Sequence, residues 1–276
     1  MTDLTPSAST GDVGKRIASG VVMALLAVGA VVLGGWPFAL FWAAAAVGIF
    51  WEWSTIVAGG AIAARAVGIA ALIAAALAAG AGQIYAASLV LAAGVAVVAA
   101  CAPGRRGWAA AGVVYAGIAL LAPMVLRPDR EFGLLAMLFL FAVVWSTDIL
   151  GYFIGRAVGG PRLAPPISPK KTWSGAGGGT LGALGASLAV VYIAGDIALL
   201  PATCVAFVLS IASQAGDLFE SAVKRRFGVK DASHVIPGHG GLMDRLDGFI
   251  AAGGVAALIG IMRGGLDAAA RGLLQW

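Results

Sequence analysis

From Ile17 to Met262 the chain is a succession of apolar runs, each close to the length that crosses a bilayer, and most hold no acid or base. They are Ile17–Leu33, Pro37–Val57, Ile62–Ala79, Ile84–Cys101, Trp108–Leu126, Phe132–Gly155, Gly177–Ala194, Leu199–Ser221 and Gly248–Met262. A spanning helix needs about 20 mainly apolar residues. Hydrocarbon offers no partner to a free backbone N–H or C=O, so α-helix is the structure these runs can take there. A soluble helical protein would need polar faces toward water, and Ile62–Ala79 has almost none. The expected fold is therefore all-α, a polytopic integral membrane protein of about nine transmembrane helices. Composition agrees, with 61% hydrophobic residues, 11% charged and a mean hydropathy of +0.96.

Nine spans put the termini on opposite sides, and the bases test that count. With the N-terminus cytoplasmic, one side receives Lys15, Arg16, Arg65, Arg105, Arg106, Arg156, Arg162, Lys170, Lys171, Lys224, Arg225, Arg226, Lys230 and Arg245. Only Arg127, Arg130, Arg263 and Arg271 fall on the other. The net charge of +5 thus reads first as topology, and nucleic acid is not needed to explain it. Residues 1–16 read as a polar, disordered cytoplasmic tail, with no cleavage pattern after the first run. Cys101 and Cys204 lie in apolar runs without a CxxC partner, so packing is their simplest role.

Residues 17–126, five spans of Ala, Val, Gly and Leu, read as a transmembrane scaffold. Its one chemical exception is Glu52 in TrpGluTrp, either a hydrogen-bonded structural acid or a polar group on a buried cavity. Residues 127–276, four spans with charged cytoplasmic loops, read as the catalytic domain. No internal repeat of the kind that marks many transporters is present.

Three regions there carry reactive side chains. Asp148 lies inside a span with Tyr152 a turn later, and a carboxylate in lipid should face a wet cavity, a cation or a base. Between Pro165 and Thr180 the prolines exclude helix, Lys170 and Lys171 bring two cations, and Thr172 and Ser174 bring hydroxyls. Glycines there would let backbone N–H groups approach a phosphate, although no Walker loop is present. Asp217, Glu220, Ser221 and Lys224 share one helical face, and Asp244 and Asp247 open the last span. Four carboxylates at successive helix ends suit Mg²⁺, which takes one or two carboxylates plus substrate phosphates. Neighbouring Lys and Arg would then pair with those phosphates. The turn at Pro237, Gly238, Gly240 and Gly241 can approach a ligand, and His239, lacking zinc-site spacing, reads as a phosphate or base contact.

This string resembles the signature of the phosphatidate cytidylyltransferases, or CDP-diacylglycerol synthases. Ser221, Val223, Lys224, Arg225, Lys230, Asp231, Ser233, Ile236, Pro237, His239, Gly240, Gly241, Leu242, Asp244, Arg245, Leu246 and Asp247 fill it without a gap. The likeness extends back through GlnAlaGlyAspLeuPheGluSer, SerProLysLysThr from Ser168 and AspIleLeuGlyTyrPheIleGlyArg, covering roughly the C-terminal half. Ser174 departs from it, where many relatives carry an acid or amide. The resemblance implies Mg²⁺-dependent transfer of CMP from CTP to phosphatidic acid in a bacterial inner membrane, with the active site facing the cytoplasm. On that basis Asp217, Asp244 and Asp247 are expected to hold metal, and Lys170, Lys171, Lys224 and Arg245 to neutralise phosphate. Asp148 is expected beside the metal or on a second cation. Ser168, Thr172, Ser221, Arg225, Lys230, His239, Gly240 and Gly241 are expected to bind substrate.

A CTP-dependent polyprenol or lipid kinase, attacked at the γ-phosphorus, is the runner-up. A cation-coupled transporter could use the same acids, but their place beside many bases argues against it. The DGxxAR pattern of CDP-alcohol phosphatidyltransferases is missing. Gly-rich spans permit a homodimer without requiring one.

Overall fold

The computed structural model describes residues 10–57, 61–233 and 240–276, with 10–18 as backbone alone. Helices α1 (Thr10–Leu33), α2 (Gly35–Val57), α3 (Ile62–Gly80), α4 (Ile84–Cys101), α5 (Arg106–Leu126) and α6 (Gly133–Val158) come first. A short antiparallel hairpin, β1 (Arg162–Ala164) and β2 (Ser168–Thr172), precedes α7 (Trp173–Ala194), α8 (Leu199–Arg226), α9 (Met243–Gly264) and α10 (Ala269–Leu274). Among the described residues eight helices, α2 to α9, are long and apolar enough to cross a membrane, and α1 adds a shorter apolar stretch, Ser19–Leu33. The architecture is all-α and polytopic. Helix α1 starts at Thr10, inside the segment expected to be a disordered tail, because a nucleated helix extends at little cost.

Helix α5 is the axis of the bundle, with 72% of its spanning window buried against α2, α3, α4 and α9. Outward-facing Leu89, Leu181 and Ile193 are 72%, 71% and 84% exposed, as a lipid-facing surface requires. Cys204 is exposed on α8 instead of packed inside. Rings gather around buried Trp53 at the level of the charged loops: Trp53 stacks on Phe219 with centroids 6.2 Å apart, and half-buried Trp108 meets Phe227 edge-on at 5.2 Å. Trp53 Nε1 donates to the Trp108 carbonyl at 2.8 Å, satisfying the indole that such burial would otherwise orphan. The ends of α2, α4, α6 and α8 thus share one end of the bundle with the starts of α3, α5, α7 and α9.

At the other end three of the four bases, Arg127, Arg263 and Arg271, are held locally. Arg127 Nε donates to the Val31 carbonyl at 2.6 Å, Arg271 pairs with Glu131 at 2.6 Å, and Arg263 donates to the Gly272 carbonyl at 2.6 Å. Helix α10 folds back on α9, with Gly260 against Ala269 and Gly264 against Gly272.

Helix α7 corrects the expectation of a glycine-rich phosphate loop. It starts at Trp173, and Gly175, Gly178 and Gly179 are helical and buried. A Cβ on Gly179 would stand 2.5 Å from the Thr147 carbonyl oxygen, and one on Gly175 2.7 Å from that of Gly151. The glycines therefore set a close α6–α7 crossing, with no hydrophobic gain in lipid but full van der Waals contact. The prolines act earlier: Pro165 and Pro166 form the hairpin turn, closed by Ile167 N donating to Ala164 O at 3.1 Å. Replacing Gly179 with Leu should destabilise the protein by about 1–3 kcal/mol through overpacking. Gly177→Ala, at a site with nothing within 4 Å, should be neutral or gain up to about 1 kcal/mol. Thermal unfolding in detergent reads both.

Candidate active site

Helices α8 and α9 cross at a distance that only glycine allows. A Cβ on Gly216 would lie 2.6 Å from the Asp247 carbonyl oxygen, and one on Gly248 2.5 Å from Ser213 Oγ. This crossing brings Asp217 and Glu220, near the end of α8, beside Asp244 and Asp247 in the first turns of α9. Lys224 lies between two of them, 2.6 Å from Glu220 Oε2 and 2.5 Å from Asp244 Oδ1. Glu220 is 1% exposed, so removing the ammonium would strand a buried charge, at about 3–5 kcal/mol. Asp244 Oδ2 accepts from the backbone N–H groups of Ala232 at 3.0 Å and Gly241 at 2.8 Å.

Asp217 turns to the other side and forms an ion pair with Lys171 of β2. Ser221 Oγ donates to Asp217 Oδ1 at 3.4 Å within α8, and Arg225 Nε donates to the Ile167 carbonyl at 3.4 Å, so with the Lys171–Asp217 pair the hairpin is fastened to α8 twice. Alternation along the strand sends Lys170 to the opposite face, where it is exposed. Asp148 of α6 is accessible and within electrostatic reach of Asp217, Lys171 and Arg245. Tyr152 is drawn to the helix end instead, its hydroxyl accepting from Arg156 at 3.0 Å. Arg245 and Lys230 are exposed, and Ser168 is half-buried opposite Ala164. His239 lies outside the described residues.

Several expected substrate contacts are occupied by the protein itself. Thr172 Oγ1 caps α7 by accepting from Gly175 N at 3.1 Å, and Ser174 Oγ donates to the Gly159 carbonyl, which ties the cap to the end of α6. Gly240 has a φ of +81°, which turns the chain into α9, and the Gly241 N–H goes to Asp244 rather than outward. Backbone donors at a helix start attract any anion, and here protein carboxylates reach them first.

One of those carboxylates is Glu52 of α2, which the sequence marked without deciding its role. Glu52 is 1% exposed; Oε1 accepts from Ser233 Oγ at 2.6 Å and Leu242 N at 2.8 Å, and Oε2 from Met243 N at 2.6 Å. It is therefore the hydrogen-bonded structural acid of the two readings, and it belongs to the stretch read as scaffold. A second group the sequence did not single out lies deeper, between α6, α7 and α8. Thr147 and Ser210 hydroxyls meet at 2.9 Å, and Gln214 Nε2 donates to Thr180 Oγ1 at 3.0 Å. Its only sequence signal was small polar residues at helical spacing, the usual cross-helix hydrogen bonds of membrane bundles.

The Mg²⁺ implied by the resemblance requires hard oxygen donors, and the donor set fits. Buried Asp247 is within electrostatic reach of Asp217, Glu220 and Asp148, while Glu220 Oε1 and Ser213 Oγ are buried without a hydrogen-bond partner. Among the described residues no three acids converge on one point, so Asp217 and Asp247 would hold the ion only together with phosphate oxygens, and Asp217 only as Lys171 and Ser221 release its oxygens. Both oxygens of Asp244 are engaged as described, and it would join them only as Lys224 moves away.

A phosphatidate cytidylyltransferase of Brucella abortus is 52% identical over 155 residues, 56% of this chain and 57% of the relative. Proteins of the same name from Staphylococcus saprophyticus and Haemophilus influenzae are each 42% identical, over 139 and 129 residues, or 50% and 45% of this chain and 52% and 45% of those relatives. The chain thus matches a little over half the length of these relatives at most. Residues 14–262 match the cytidylyltransferase family profile, which takes in α2 to α8 whole and α9 up to Met262. The chain belongs to the cytidylyltransferase family.

Proposed function

We propose that the protein transfers CMP from CTP to phosphatidic acid, giving CDP-diacylglycerol and pyrophosphate. The observation that carries this reading is the meeting of Lys171–Asp217 with Glu220–Lys224–Asp244 at one end of a membrane bundle. Phosphates and a divalent cation would provide those same groups with partners of opposite sign. The relatives named phosphatidate cytidylyltransferase support the substrate pair.

In this mechanism an ionised oxygen of the lipid phosphate attacks the α-phosphorus of CTP. A P–O bond forms there, the bond to the β-phosphate breaks, and pyrophosphate leaves with its electron pair. The nucleophile is already deprotonated at neutral pH, so no strong base is needed, and catalysis rests on positioning and charge neutralisation. Lys171 and Lys224 exchange their carboxylates for phosphate oxygens, with Arg245 at the rim and Lys170, Arg225 and Lys230 as the outer positive field. Bound Mg²⁺ would supply charge neutralisation across the phosphates. The side bearing Lys170, Lys224 and Arg225 faces the cytoplasm of a bacterial inner membrane in this reading, following the distribution of bases.

Asp217→Asn and Asp244→Asn should each lower turnover by at least about 10²-fold while the protein still inserts and purifies. Near-normal activity in either variant would overturn its assignment, and omission of Mg²⁺ is the companion control. CTP labelled at the α-phosphorus should pass its label to the lipid, and CTP labelled at the γ-phosphorus to pyrophosphate. Label from the γ-position in the lipid, with CDP released, would identify a kinase instead.

A further inference from the structure

Glu52 reaches the site from the far half of the chain, and the groups that hydrogen-bond to it among the described residues are all donors: one hydroxyl and two backbone N–H groups. Two of these donors open α9, whose own N-cap residue, Leu242, supplies no side-chain cap. The capping role that a neighbouring Ser or Asp usually fills has passed to a carboxylate on another helix. A full negative charge there also matches the positive end of the α9 dipole.

Asp244 makes the complementary set of bonds. It accepts from Ala232 N and Gly241 N, while Glu52 accepts from Ser233, Leu242 and Met243. Two carboxylates, one buried and one half-buried, therefore stitch together the same two stretches of chain at adjacent residues. The fit leaves no slack: a Cβ on Gly241 would lie 2.8 Å from both Glu52 oxygens, and one on Gly48, a turn earlier on α2, 2.9 Å from Leu242 Cδ2.

We infer that Glu52 is a positioning residue of the active site, whose carboxylate fixes the start of α9 so that Asp244 meets Lys224 and Asp247 meets α8. It touches no reacting atom in the proposed chemistry and acts through Asp244. The inference rests on the transferase reading for its kinetic readout and has an independent readout in the backbone of α9.

The test compares wild type with Glu52→Gln, Glu52→Asp and Ser233→Ala in the full-length detergent-purified protein. An amide presents one acceptor where three donors converge, so Glu52→Gln should lower kcat by on the order of 10–100-fold, as expected for a misplacement of about 1 Å. KM for CTP and for phosphatidic acid should stay within about threefold, because the substrate contacts themselves are kept. The Mg²⁺ concentration for half-maximal activity should rise several-fold, and Glu52→Asp should recover part of kcat, which general loss of folded protein would not produce. Ser233→Ala, losing one of the three bonds, should show a smaller fall in the same direction. Hydrogen exchange at Leu242 and Met243 should quicken in Glu52→Gln while α5 stays protected, whether or not the protein turns over CTP. Wild-type kcat in Glu52→Gln, or a loss that tracks the folded fraction with unchanged Mg²⁺ demand, would overturn the inference. So would unchanged exchange at those two amides. A wild-type protein inactive on CTP and phosphatidic acid would instead sink the transferase reading, leaving exchange to judge Glu52 alone.

Discussion

One ammonium group faces two carboxylates where α8 meets α9. Lys224 lies 2.6 Å from Glu220 and 2.5 Å from Asp244, with little access to water. Each of the three charges would be costly alone, and together they are tolerable only while the helices keep their spacing. That spacing is set by Gly216 and Gly248, which bring backbone to backbone. The charged end of the protein thus depends on a packing contact between uncharged residues, and the glycines of α6 and α7 repeat the device on the other flank.

The sequence made the membrane character and most of the spans legible, because apolar length is a local property. Much of the site was also readable, since Lys224, Asp244 and Asp247 fall within one contiguous signature and Asp217 shares a helical face with Lys224 just before it. What stayed hidden depended on contacts between distant segments. Glu52 could be flagged as an acid in an apolar run, but its three donors lie 181 to 191 residues away. The hairpin of β1 and β2 was missed because three- and five-residue strands carry too short a pattern. The glycines after Trp173 were ambiguous in principle: the same residues serve a phosphate loop or a tight helix crossing, and only the position of α6 decides.

The two halves of the chain divide the work unevenly rather than cleanly. The first five helices bury aromatic and aliphatic side chains around α5, and they also supply one buried carboxylate to the second half. The helix start that carries Asp244 and Asp247 is thereby anchored to the most densely packed part of the bundle. Precision at the site is inherited from rigidity elsewhere, which suits a reaction governed by placement more than by proton transfer.

The pairing of Lys171 with Asp217 gives ligand binding the character of an exchange. In the proposed reaction, a nucleotide arriving with its cation would not add ion pairs to a bare site; it would trade internal partners for external ones. Its affinity is then a difference between two sets of strong interactions, each far larger than the net. Small changes in the hairpin turn of Pro165, Pro166 and Ile167, away from the lysines assigned to phosphate, would shift that difference as effectively as changes in the groups that bind. On the proposed function, that turn is thereby a place where affinity for nucleotide can be tuned without altering the chemistry.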